Sequence, residues 1–135
     1  AHRFSKGHRV KLTGHTDEVH SVAFSPSGKH VLSGSADKQM AFWDITSGII
    51  AGEFPGHSSA VQAVALSANG RYALSGTANG TVRLWHVAKA REIARFTGHS
   101  DAVLSVAFSP VGSLSLSCGA DKMLCLWELP DAPDA

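Results

Sequence analysis

Short runs of alternating apolar and polar residues, each closed by a turn signal, fill most of the chain. Val19–Phe24 (VHSVAF) is β-branched and alternating, the pattern of a half-buried strand. Ser25-Pro26-Ser27-Gly28 follows; Pro presets φ and Gly supplies a positive φ, so this is a turn. His30–Ser35 (HVLSGS) is a second strand, Ala36-Asp37-Lys38-Gln39 a tight connection, and Met40–Trp43 the core of a third strand. Ile45–Gly48 (ITSG) is another turn. No segment carries a helical period, so the pattern predicts an all-β chain.

The same series then returns at a spacing of 42 residues, twice. The second copy reads VQAVAL, SANG, YALSG, TANG, TVRLW; the third reads VLSVAF, SPVG, LSLSC, GADK, MLCLW. Gly14–Asp44 and Gly98–Glu128 share 17 of 31 residues without a gap. Such a fixed period means one supersecondary unit stacked on copies of itself. The repeat also interprets its own surroundings. Ile49–Phe54 (IIAGEF) and Arg91–Phe96 (REIARF) each lead into a Gly-His pair, and Gly7–Leu12 (GHRVKL) occupies the same phase. Gly7, His8, Arg9, Val10, Lys11 and Leu12 are therefore expected to form the same fourth type of strand.

A four-stranded unit of this length, with Gly-His at its start and Trp-Asp at its end, resembles the blade of a WD-repeat β-propeller. The resemblance covers about Gly7 to Glu128, with units at about 14–55, 56–97 and 98–128 and a tail at 129–135. It implies a structural hydrogen-bond tetrad per blade: His15, Ser33, Asp37 and Trp43, then His57, Ser75, Asn79 and Trp85, then His99, Ser117, Asp121 and Trp127. Asn79 stands where the other copies carry Asp; an amide accepts a hydrogen bond without charge, so that tetrad is expected to be weaker. The resemblance further implies partner contacts on the top face, at Glu18, His20, Ala60, Gln62, Ala102 and Leu104, with Ala36, Ala78 and Ala120 on the neighbouring hairpins.

Three blades do not close a ring, which takes typically 4–8 or more. The strand order also runs one strand out of phase: the first fourth-type strand lacks a blade, and the last blade lacks its fourth strand. Open strand edges invite pairing. The expectation is therefore a head-to-tail homo-oligomer, with Gly7–Leu12 completing the third blade of a neighbouring copy. A nine-bladed homotrimer is preferred, and a six-bladed dimer comes next. The alternatives are a fragment of a longer propeller, a structural or engineered repeat without a partner, and an enzyme working in the central channel.

Composition narrows the function. Twelve basic and eleven acidic residues leave a net charge of +1, no footprint for nucleic acid or an anionic membrane. No apolar run approaches the ~20 residues of a membrane span. The N-terminal AHRFSKGH shows no secretory h-region, and two cysteines make no disulfide framework, so a cytoplasmic location is the default expectation. Cys118 and Cys125 flank the third hairpin and are expected to be buried free thiols. Ser, His and Asp recur once per blade beside Trp, which reads as a structural network rather than a hydrolase. None of the eight histidines has zinc-ligand spacing; only His20, repeated around a ring axis, would offer a metal or anion site, and a solvated side chain is the reading adopted. The sequence calls for no catalytic residue, metal or cofactor. It describes a non-catalytic scaffold for protein–protein interaction that assembles with itself.

Overall fold

The computed structural model describes residues 11–110 and 113–130 of the 135. Among these there are eleven strands: β1 (Val19–Phe24), β2 (His30–Ser35), β3 (Met40–Asp44), β4 (Ile50–Phe54), β5 (Val61–Leu66), β6 (Tyr72–Thr77), β7 (Thr81–His86), β8 (Arg91–Thr97), β9 (Val103–Phe108), β10 (Leu114–Gly119) and β11 (Leu124–Glu128). They form three sheets in the orders β1-β2-β3-β4, β5-β6-β7-β8 and β11-β10-β9. Every neighbouring pair is antiparallel.

Local chemistry sets these boundaries. At the first turn of the first and second blades the Gly28 N–H donates to the Ser25 carbonyl (2.9 Å), and the Gly70 N–H to that of Ser67 (2.9 Å). Both glycines sit at φ +73°, a region that costs other L-residues roughly 1–2 kcal/mol. The second hairpin needs a positive φ as well. Gly80 supplies it freely at φ +88°, whereas Lys38 (+72°) and Lys122 (+69°) carry the strain. The first strand of each sheet, β1, β5 or β9, breaks register near its start, between Val19 and Ser21, between Val61 and Ala63, and opposite the Cys118–Gly119 step. These are β-bulges in the same phase of every repeat.

The sheets stack face to face, and the cores lie between them. Leu32, Met40 and Phe54 of the first sheet bury against Val61, Val64, Ala73 and Trp85 of the second. Leu74, Val82 and Leu84 of the second then bury against Val103 and Val106 of the third. Close approach is set by glycine. A Cβ on Gly34 would lie 2.6 Å from Val61 Cγ1, and one on Gly76 2.5 Å from Val103 Cγ1.

Gly7, His8, Arg9 and Val10 lie outside the described residues, while Lys11 and Leu12 belong to no strand. Cys118 and Cys125 are free, but they are half-buried rather than buried. Cys118 pairs with Leu124 and Cys125 with Ser117, so the two thiols point to opposite faces of the sheet.

Candidate functional site

In the first blade Ser33 on β2 is the hub. Its Oγ lies 2.6 Å from His15 Nε2 and accepts the Trp43 indole N–H at 2.8 Å. His15 Nδ1 lies 2.9 Å from the Asp37 carboxylate. The tautomer that satisfies every partner has Nδ1–H donating to Asp37 and the Ser33 hydroxyl donating to Nε2. Asp37 also accepts the backbone N–H groups of Thr16 (3.0 Å) and Gln39 (2.8 Å). Burial pushes its carboxyl up, but the Thr16, His15 and Gln39 bonds outweigh that and hold it below the usual carboxylate range. One network thus ties together the loop before β1, the strands β2 and β3, and the hairpin between them.

The third blade repeats this geometry. His99 Nε2 lies 2.8 Å from Ser117 Oγ, Trp127 Nε1 donates to the same oxygen at 2.8 Å, and His99 Nδ1 lies 3.0 Å from Asp121. Asp121 accepts from Ser100 and Met123 N–H, each at 3.0 Å. Burial raises its pKa, and the bonds to His99, Met123 and Ser100 bring it below normal.

The second blade differs. His57 Nε2 lies 2.9 Å from Ser75 Oγ, which also accepts the Trp85 N–H at 2.9 Å. Asn79 does not reach His57. Its Oδ1 accepts the Thr77 hydroxyl (2.6 Å) and its Nδ2 donates to Ser58 (3.4 Å). The expected four-membered tetrad is therefore three-membered here, because the amide oxygen is taken by Thr77. His57 Nδ1 is buried without a hydrogen-bond partner among the described residues. Burial lowers the His57 pKa to about 4, and the nearby Arg83 charge adds to that.

Arg83 of β7, absent from the expected network, is buried (3% exposed). Its Nη1 donates to the Gly56 carbonyl at 2.7 Å and lies 3.7 Å from Glu92, which in turn holds Arg95 at 2.8 Å. The signal was present in the repeat. Where the hairpin carries Asp37 or Asp121, the position four residues on is small, Ala41 or Cys125; where it carries Asn79, that position is Arg83. A cation replaces the acid beside the histidine.

The positions assigned to partner contact lie at the same end of the sheets as the tetrad loops. The carbonyls of Glu18, Ala60 and Ala102 accept the N–H groups of Ala36, Ala78 and Ala120 at 2.8, 2.9 and 2.8 Å. Glu18, His20 and Leu104 are exposed, while Ala60, Gln62 and Ala102 are half-buried. Among the described residues no group of three or more His, Cys, Asp or Glu could hold a metal ion.

The fourth strands link neighbouring sheets. Phe54 at the end of β4 packs edge-on against Trp85 of the second sheet (centroids 5.5 Å apart), and Phe96 of β8 stacks on Trp127 of the third (5.2 Å). Each fourth strand is hydrogen-bonded in one blade and fastened by its aromatic end to the next. The third sheet has no such strand among the described residues, and β11 is its free edge. An open groove of about 510 Å³ lies alongside, lined by Ala94, Phe96, Glu128 and Leu129 among others.

Two four-stranded antiparallel sheets and a three-stranded one, stacked and each tied by a Ser-His-Trp network, define a chain of propeller blades. The chain belongs to the family of the WD domain, G-beta repeat, whose model matches residues 6–44, 48–86 and 90–128. It is 40% identical over 37% of its length to 5% of periodic tryptophan protein 2 of Saccharomyces cerevisiae. It is 49% identical over 26% of its length to 4% of a ribosome biogenesis protein BOP1 homolog of Drosophila grimshawi. Among solved structures it superposes on the RRP9 WD40 repeats with a TM-score of 0.82 at 28% identity, covering 87% of this chain and 37% of that one. U3-55K gives a TM-score of 0.83 at 28% identity, covering 87% and 38%. The chain thus spans a small part of these curated relatives and well under half of these structures.

Proposed function

We propose that this chain is a non-catalytic scaffold for protein–protein interaction whose blades are closed into a ring by further copies of itself. The observation that carries the reading is that, among the described residues, the third sheet has three strands with β11 at its edge, beside two four-stranded sheets. An unpaired edge is a template for another strand. Gly7–Leu12 of a neighbouring copy has the repeat phase to fill it. Leu12 falls at the position of Phe54 and Phe96, the residues that fasten one sheet to the next. Closure then takes multiples of three blades; a nine-bladed homotrimer is the form proposed, with a six-bladed dimer the other closed arrangement. The exposed surface at Glu18, His20 and Leu104 would face protein partners, repeated by the ring symmetry so that weak contacts add. The relative named for ribosome biogenesis supports a part in building larger assemblies.

The second reading is that these blades belong to a longer ring, favoured by their spanning 37–38% of the WD40 chains they match. Deleting Ala1–Thr13 separates the two. Loss of the oligomer with the blades still folded is the expected result. A deletion variant that forms the same oligomer would refute strand exchange.

A further inference from the structure

The two outer faces of the stack are apolar and exposed. On the third sheet Leu116, Leu124 and Leu126 are 38%, 67% and 66% exposed. On the first sheet Val19, Val22 and Phe24 are 50%, 66% and 71% exposed. The repeat relates these two sets to each other. Leu116, Leu124 and Leu126 fall in the phase of Leu74, Val82 and Leu84; Val19, Val22 and Phe24 fall in the phase of Val103, Val106 and Phe108. Those residues form the core between the second and third sheets. The first and second sheets meet through the same phases, with Leu32, Met40 and Phe42 packed against Val61, Val64 and Leu66. Each outer face is therefore one half of an interface that the chain already makes twice.

A polar contact repeats as well. Across the first internal seam the Val64 N–H donates to Ser21 Oγ at 3.1 Å. The second seam lacks this hydroxyl, since Ala63 stands there; the third sheet regains it at Ser105, which is exposed. The donor in matching phase is the Val22 N–H.

One position does not repeat. Both internal seams place glycine against the facing valines: Gly34 against Val61 and Val64, Gly76 against Val103 and Val106. A Cβ there would come within 2.6 and 2.5 Å of a valine methyl, closer than packed atoms allow. The third sheet carries Cys118 in that phase, so its outer face cannot close on Val19 and Val22 as tightly as the inner seams do.

We infer that the Leu116–Leu126 face docks on the Val19–Phe24 face of a second copy of this chain, with Ser105 accepting from Val22 and Cys118 limiting how closely the two faces approach. This rests on the ring-closure reading and names the faces that meet. The occupant is a second copy because both halves of the interface, and its cross-seam hydroxyl, are carried by one chain.

The test is native mass spectrometry and sedimentation velocity on the full chain, L126E, V22K, C118G and the deletion of residues 1–13. Leu126 and Val22 are two-thirds exposed in the single chain, so both substitutions should leave it folded, as circular dichroism can verify. The expected result is that L126E and V22K need at least tenfold higher concentration to assemble, while C118G assembles at about tenfold lower concentration. If L126E and V22K assemble like the parent while the deletion does not, the docking faces are wrong and strand exchange stands. If the deletion assembles like the parent and L126E does not, strand exchange fails and the docking faces stand. A parent chain that is monomeric at all concentrations overturns both and assigns the faces to other blades. Unchanged or weaker assembly by C118G removes Cys118 from the account.

Discussion

The second blade should be the acid-sensitive one, and Asn79→Asp should relieve it. His57 is half-buried, its Nδ1 is enclosed beside a guanidinium with no acid to meet it, and its pKa falls to about 4. In the unfolded chain the group titrates near 6.5. A depressed folded-state pKa gives stability that is full above pH 6.5 and is lost as pH falls toward 4. From pH 7 to pH 4.5 that loss is roughly 2.5 kcal/mol, a large fraction of a typical domain's 5–15 kcal/mol. Asn79→Asp puts a carboxylate where Asp37 and Asp121 bind their histidines at 2.9 and 3.0 Å. Such a partner raises a histidine pKa, so the variant should lose about half as much or less over the same range. The assay is urea unfolding of parent and variant at pH 7 and 4.5, with NMR titration of the His57 ring. Groups common to both proteins cancel in the comparison. Equal acid losses in the two proteins, or a parent His57 titrating near 6.5, would show that the missing acid at position 79 does not set the acid sensitivity of the second blade.

Other outcomes follow from the same contacts. Asp37 and Asp121 are held below the usual carboxylate range, so their contribution persists at neutral pH and is lost only as pH falls below about 4; acid unfolding of N79D should move into that lower window. Gly76→Ala puts a Cβ 2.5 Å from Val103 Cγ1 and should cost about 1–3 kcal/mol by overpacking, read as a lower urea midpoint. Trp85→Phe removes the 2.9 Å bond to Ser75 and should cost about 1–3 kcal/mol through the orphaned group and lost packing. Ser115→Ala removes a buried hydroxyl that has no partner and matches Ala73 in the second copy; it should be neutral or stabilising by about 1 kcal/mol, whereas a clear loss of thermal stability would show that the hydroxyl is satisfied.

The legible part of the fold was what the repeat made redundant. Alternation at Val19–Phe24 and its two echoes, Gly28 and Gly70 at the turns, and the Trp spacing each specify a strand or turn locally. The chain has the WD-repeat, all-β architecture that these patterns implied. The departures are hidden where one residue competes with another. Asn79 looked able to replace Asp because both accept hydrogen bonds; Thr77 captures its oxygen instead. Arg83 is a cation that Gly56 and Glu92 hold inside, a placement that strand alternation alone does not reveal. Gly34 and Gly76 sit in strands, where glycine ordinarily weakens pairing; only the distance between sheets shows why they are there. Seams belong to pairs of repeats, and a single repeat read alone does not contain them.

The most direct measurement is the native mass of the whole chain, 14.2 kDa as a single copy, followed over a wide concentration range. A discrete closed species of three copies, or of two if the ring has six blades, is the expected result. A cooperatively folded monomer that persists at every concentration would contradict it.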